Sequence, residues 1–400
     1  MTTLIEQLAA AKGIASEYVD AWGHPAQVSE ESKAAMLGAM GYRVDDEAAL
    51  TEQLEQEHRQ HWLRPLDPVM VVRSGDPISL EVRLPIEFVN DALHWQIVLE
   101  QGALLSGQLT PIEGELVGVA EFEEMECQAY RVALDVQPEL GYHQLVLLEE
   151  GNDEPLATMR LIVAPKSCYK QAPIANGRKV WGPSVQLYCL RSRHNWGIGD
   201  FSDLGQLVEQ AAAWGAHFVG LNPIHALYPA NPESASPYSP SSRRWLNLAY
   251  INVEAVPEFL ANERLKADVA SPAFQQHLAS LRAKENVDYT GVIETKIGML
   301  RQVFDEARLS AERQAAFDAF VAAGGDSLQQ QAAFDALQAH FYGKGENAWG
   351  WPVWPDAFRD YHNPEVAVWM QEHSQDVSFY LYLQFLADEQ LAQADARAKA

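Results

Sequence analysis

The sequence predicts a multidomain chain: an N-terminal helical segment over residues 1–64, a β-sandwich over 65–165, and a parallel α/β region with helical insertions over 179–400. Three changes of pattern carry that prediction. Apolar residues first recur at helical spacing, then alternate with a period of two after Pro65, and a strand–helix–strand succession begins at Val180.

In the first segment Leu4, Leu8 and Ala11 share one helical face. A second helix is expected after Ser29, an N-cap residue, with Glu30 and Glu31 suited to the helix dipole and Met36, Leu37 and Met40 as its apolar residues. Beyond Pro65, Leu80, Val82 and Leu84 alternate with Glu81 and Arg83. Trp95, Ile97 and Leu99 behave likewise, as do Val132, Leu134 and Val136, then Leu145 and Leu147. Such strands, separated by Gly and Pro turns, suit a sandwich. Leu140-Gly141-Tyr142-His143 is read as a tyrosine corner ahead of the strand at Leu145.

The third region is the most informative. Val180-Trp181-Gly182-Pro183-Ser184-Val185-Gln186-Leu187-Tyr188 reads as a buried strand, and Asn195-Trp196-Gly197-Ile198-Gly199-Asp200-Phe201 as a Gly-rich turn. Asp200 or Ser202 would cap the amphipathic helix Leu204 to Trp214, and Phe218 to His225 forms a second buried strand. A long polar loop follows through Ser236 to Arg244. This β-α-β order belongs in a parallel sheet, and its polar residues gather past the strand ends, where such folds hold their chemistry. The glycines do not cradle phosphate, because no Lys-Ser/Thr follows them. From Pro257 to about His340 the pattern is largely helical.

Composition narrows the function. With 48% hydrophobic residues the chain can bury substantial cores, and a net charge of −26 makes nucleic acid an unsuitable partner. The start lacks a signal-peptide pattern, and no apolar run reaches the roughly 18 to 20 residues of a membrane span, so a cytoplasmic protein without a membrane partner is expected. Cys127, Cys168 and Cys189 are odd in number and show no close metal spacing, which reads as reduced thiols. No cluster of His, Cys and carboxylates suggests a metal site.

Gly197-Ile198-Gly199-Asp200-Phe201, Gly220-Leu221-Asn222-Pro223-Ile224-His225 and Ser236-Pro237-Tyr238-Ser239-Pro240 together resemble the 4-α-glucanotransferases of the amylomaltase type. The likeness extends over the whole chain. It includes the N-terminal extension of the bacterial maltodextrin-utilisation form, Gly325-Asp326-Ser327-Leu328 and Phe379-Tyr380-Leu381. The resemblance implies that residues 179–400 are the first part of a (β/α)8 TIM barrel with helical insertions. Such a barrel needs about 250 residues, so the barrel is expected to be incomplete here.

The resemblance also implies an activity: transfer of α-1,4-glucan segments between maltodextrins by a retaining double displacement, with two carboxyl groups about 5 to 5.5 Å apart. It implies no cofactor, and maltodextrins and other α-1,4-glucans as partners. It places Tyr238 against the glucose ring beside the scissile bond, with Ser236, Pro237, Asn222 and Trp196 as further substrate-binding residues. An aromatic face suits the C–H face of a sugar. The family's nucleophile lies in an Arg-x-Asp segment and its acid/base in Gly-Glu-Asp; neither Arg-x-Asp-His nor Gly-Glu-Asp occurs in this sequence. The helical run Leu386 to Ala400 carries no stop signal. The expectation is the N-terminal part of a longer enzyme, with no catalytic residue of its own and no activity alone. A non-catalytic α-glucan-binding protein or an inactive fragment is the alternative.

Several residues have two readings. His225 is a structural histidine or a ligand; Arg191, Arg193, Arg243 and Arg244 are expected to form ion pairs within loops. Trp349, Trp351 and Trp354 are either platforms for a glucan or packing between helices. Asp45, Asp46, Glu121, Glu123 and Glu124 read as solvated charge.

Overall fold

Side-chain caps set where the first helices begin. Thr3, Ser29 and Asp46 each accept a hydrogen bond from a backbone N–H in the following turn, so α1 (Leu4–Ala11), α2 (Glu30–Ala39) and α3 (Glu47–Trp62) start one residue later. Asp46 is thus a helix cap, not free solvated charge, while Glu123 and Glu124 lie outside the described residues. The computed structural model describes residues 3–122, 125–152, 154–345 and 349–400. The chain divides into two compact units, Met1–Lys170 and Gln171–Ala400.

Within the first unit, Leu8, Ala9, Leu37 and Leu50 close a small helical core. Of the apolar residues expected to drive α2, only Leu37 is buried; Met36 and Met40 are about half exposed. The helical reading also missed a short antiparallel hairpin, β1 (Glu17–Val19) with β2 (Pro25–Gln27), whose strands are too short and exposed to show a period.

The period-two segments become β3 (Val69–Arg73), β4 (Ile78–Pro85), β5 (Leu93–Val98), β6 (Leu104–Leu109), β7 (Glu115–Phe122), β8 (Met125–Leu134), β9 (Gly141–Glu149) and β10 (Pro155–Ala164). They form two sheets, ordered β3-β10-β9-β5-β6 and β4-β8-β7. Leu80, Val82, Ile97, Leu145 and Leu147 are fully buried in their shared core; burying each such side chain contributes about 1.5 to 3 kcal/mol.

Two expectations for this region are corrected. Tyr142 is exposed and makes no tyrosine corner; the neighbouring His143 is buried and ties the corner instead. Its Nδ1 accepts from Glu100 N at 3.2 Å and its Nε2 donates to the Glu139 carbonyl at 2.8 Å. Arg83 alternates with apolar residues yet is only 3% exposed, because Asp67 and Glu81 pair with its guanidinium.

The second unit starts with α4 (Ala172–Ala175), β11 (Ser184–Val185), α5 (Phe201–Ala213) and β12 (Gly220–Leu221). The two strands pair in parallel, Ser184 opposite Gly220, in the expected β-α-β order. Each is only two residues long and neither is buried, where buried strands over 180–188 and 218–225 were expected. An antiparallel pair follows, β13 (His225–Ala226) with β14 (Ser242–Leu246). The helical stretch is α6 (Pro257–Leu260), α7 (Glu263–Ala270), α8 (Pro272–Arg282), α9 (Tyr289–Glu306), α10 (Ala311–Gly343, kinked at Gly325), α11 (Pro364–Glu372) and α12 (Ser374–Lys399).

Helix α12 organises this unit through buried glutamines. Gln384 accepts from Leu246 N at 3.0 Å and donates to Leu246 O at 2.9 Å. Gln390 does the same for Asn252, at 2.8 and 2.9 Å. Each amide satisfies both backbone groups of its partner residue, so neither the last residue of β14 nor Asn252 keeps an unpaired N–H or C=O. Arg313 on α10 adds an ion pair with Glu258 at 2.7 Å and another with Glu389 at 2.5 Å.

Candidate functional site

The Gly-rich turn between β11 and α5 is a brace. Asp200 accepts from Ser202 N at 2.9 Å and from Asp203 N at 3.0 Å, while Asp203 accepts from Asp200 N at 3.1 Å, closing a reciprocal cap. Asn195 donates to the same Asp203 carboxylate at 2.8 Å. Gly197 takes a φ of 93°, in the left-handed region, and at Gly199 a Cβ would stand 2.0 Å from the Leu187 carbonyl. Burial pushes the Asp200 carboxyl up to about 6, and Asp203 reinforces the shift while Lys296 opposes it. Burial likewise pulls Lys296 down to about 8; its ammonium donates to the carbonyls of Ala249 and Ile251 at 2.6 and 2.8 Å. Both carboxylates are buried and engaged in the cap.

Past the end of β12, Asn222 accepts from Leu187 N at 2.9 Å and donates to Pro223 O at 2.9 Å. It therefore locks together the segments that leave the two parallel strands. The long polar loop lies between β13 and β14. Ser239 N donates to Ser236 O at 3.1 Å, which closes a turn with Pro237 and Tyr238 at its centre. Proline presets the backbone of the second position, and Tyr238 at the third projects outward, 71% exposed. Ser241 anchors the loop's return, donating to Leu227 O at 2.7 Å.

Two tyrosines that the sequence reading did not single out lie near this turn. Tyr188 follows β11 and its hydroxyl is held above its usual range by burial, with Cys189 and Tyr238 adding to the shift. Its ring is 6.5 Å from that of Tyr289, whose hydroxyl burial raises to about 12. The signal for Tyr188 was its position three residues past a strand of the β-α-β unit.

The other expected residues take other places. Trp196 is 2% exposed, edge-on to Phe274 at 5.3 Å, and its Nε1 donates to Glu254 at 2.9 Å, so its ring has no open face. His225 lies in the β13–β14 pair opposite Leu246. Arg191, expected in an ion pair, donates to the carbonyls of Gly197 and Lys284. Trp354 is buried, whereas Trp349 and Trp351 are more than half exposed.

The model of the 4-alpha-glucanotransferase family, glycoside hydrolase family 77, matches residues 185–400. This chain belongs to that family. A second model, the MalQ N-terminal β-sandwich domain, matches residues 65–165. Among family members, the chain is similar to a 4-alpha-glucanotransferase of Haemophilus influenzae, 37% identical over 260 residues, which is 63% of this chain and 37% of that one. A 4-alpha-glucanotransferase of Mycobacterium bovis is 34% identical over 413 residues, covering 98% of this chain and 53% of its own length. The fold resembles the crystal structure of amylomaltase from Corynebacterium glutamicum, with a TM-score of 0.79 and 28% identity over 99% of this chain and 52% of that one. The chain spans about half the length of these two longer matches. No described helix is long and apolar enough to cross a membrane, and no group of three metal-ligating residues occurs among the described residues.

Proposed function

We propose that this protein is a 4-α-glucanotransferase that moves α-1,4-glucan segments between maltodextrins by a retaining double displacement. The observation that carries the reading is the open face of Tyr238, held on a proline turn beyond the ends of two parallel strands, in a chain of this family. Tyr238, with Ser236 and Pro237 in the same turn, forms the donor-side wall. Asn222 fixes the position of the strand ends behind it, and Trp196 acts through packing. The wall covers the C–H face of a glucose unit and keeps water from the intermediate, so that a sugar hydroxyl captures it.

The sequence carries neither Arg-x-Asp-His nor Gly-Glu-Asp. We therefore read residues 1–400 by themselves as supplying substrate contacts without the reacting carboxylates. The segments 1–64, 65–165 and 179–400 are the helical, sandwich and glucanotransferase parts, and the protein works in the cytoplasm without a cofactor. Incubating the purified chain with maltotriose tests the reading. It should bind the sugar and release neither glucose nor longer maltodextrins; sustained disproportionation would show that reacting groups are present, and failure to bind any maltodextrin would remove the substrate assignment.

A further inference from the structure

A cleft of about 320 Å³ opens between the return of the Tyr238 loop, α10 and the segment Trp349–Pro352. Its walls include Tyr228, Ser241, Ser327, Gln330, Trp349 and Trp351. Trp349 and Trp351 are 53% and 55% exposed, so two large ring faces stand open beside hydroxyl and amide groups. The cleft has a firm base. Tyr228 packs edge-on against Phe334, which stacks on the buried Trp354 at 5.5 Å. Gln338 holds the Trp349 carbonyl at 3.0 Å, and Trp245 donates to the Ser327 hydroxyl at 3.2 Å.

The chemistry of this lining selects a ligand. None of the described residues that line the cleft is charged, in a chain with a net charge of −26. An ionic ligand would find no opposite charge among these lining residues. A ligand with flat apolar faces edged by hydroxyls would find rings for its faces and Ser, Tyr and Gln groups for its edges. That is the surface of a neutral sugar. Ser241, in one wall of the cleft, is three residues from Tyr238, so that wall lies within about 11 Å of Tyr238 along the backbone.

We propose that this cleft is an additional α-glucan-binding site, one that grips a maltodextrin chain continuing from Tyr238, with Trp349 and Trp351 as its platforms. The proposal rests on the glucan reading of the Tyr238 loop and adds a site to it. The test is calorimetric titration of the 400-residue chain with maltoheptaose, for wild type, Trp349→Ala, Trp351→Ala, Trp351→Phe and Tyr238→Ala. Each tryptophan-to-alanine change should weaken binding by about tenfold or more, in line with loss of a ring-stacking contact. Trp351→Phe, which keeps an aromatic face, should stay within about threefold of wild type, guarding against a folding defect as the cause. If both alanine variants bind like wild type while Tyr238→Ala weakens binding, the cleft is covered by something other than glucan and the proposal falls, with the reading of Tyr238 intact. If wild type does not bind maltoheptaose, both fall.

Discussion

Replacing Tyr238 by alanine should weaken maltodextrin binding and leave the fold alone. The side chain is 71% exposed at the centre of a turn whose closing bond, Ser239 N to Ser236 O, is purely backbone. Surface substitutions of this kind stay within about ±0.5 kcal/mol of stability. What disappears is an open ring face and a hydroxyl. Stacking a flat ligand ring on an aromatic side chain contributes about 1 to 3 kcal/mol, judged from nucleic-acid bases. A hydroxyl hydrogen bond contributes about 0.5 to 1.5 kcal/mol. At about 1.4 kcal/mol per decade, the ring accounts for about 5- to 150-fold in affinity and the hydroxyl for about 2- to 13-fold. Tyr238→Phe should therefore sit close to wild type and Tyr238→Ala well below both. In a transfer-competent form, Tyr238→Ala should also raise the ratio of hydrolysis to transfer, since water gains access. Titration with maltoheptaose gives the affinities, and thermal unfolding serves as the control. Unchanged affinity in Tyr238→Ala, or a lowered melting temperature that accounts for the loss, would refute the reasoning.

Three other outcomes are expected. Gly199→Ala should destabilise the second unit severely, because the new Cβ would meet the Leu187 carbonyl at 2.0 Å and Leu190 Cβ at 2.8 Å; a normal denaturation midpoint would contradict this. Gln384→Leu removes both partners of the Leu246 backbone, at about 1 to 3 kcal/mol for each group left unpaired. The Leu246 amide should then exchange faster with solvent, and unchanged exchange would count against the clamp. Burial pushes the Asp335 carboxyl up to about 7 from an unfolded value of 3.8, against the opposing hydrogen bond from Gln331. The folded chain thus keeps a proton that the unfolded chain releases. Stability from this group is full below the unfolded value and falls as pH rises from about 4 to about 7. Asp335→Asn should flatten that part of the pH dependence of urea midpoints, and an unaltered slope would sink the assignment.

Much of the architecture was legible because it is local and periodic. The alternation in Leu80, Val82 and Leu84 survives as a buried strand face, and Ser29 and Asp200 cap the helices they were expected to cap. The illegible features are those fixed at long range. Gln384 and Gln390 each reach a backbone segment 138 residues away, and no spacing in the sequence records such a bond. Arg83 looked outward by alternation, yet acidic neighbours let it be buried. The same limit shaped the site. The glycines around Asp200 read correctly as turn chemistry, whereas Trp196 carried a motif's prominence into a core position. Trp349, Trp351 and Trp354 could not be separated by sequence. Packing against Phe334 buries the last, while the first two remain open.

The central claim is that Tyr238 and its turn receive an α-1,4-linked glucose unit. A structure of the chain with bound maltoheptaose tests it most directly. The account predicts a glucose ring lying over the Tyr238 face, in van der Waals contact at about 4 Å. A bound sugar that leaves Tyr238 untouched in that structure would contradict it.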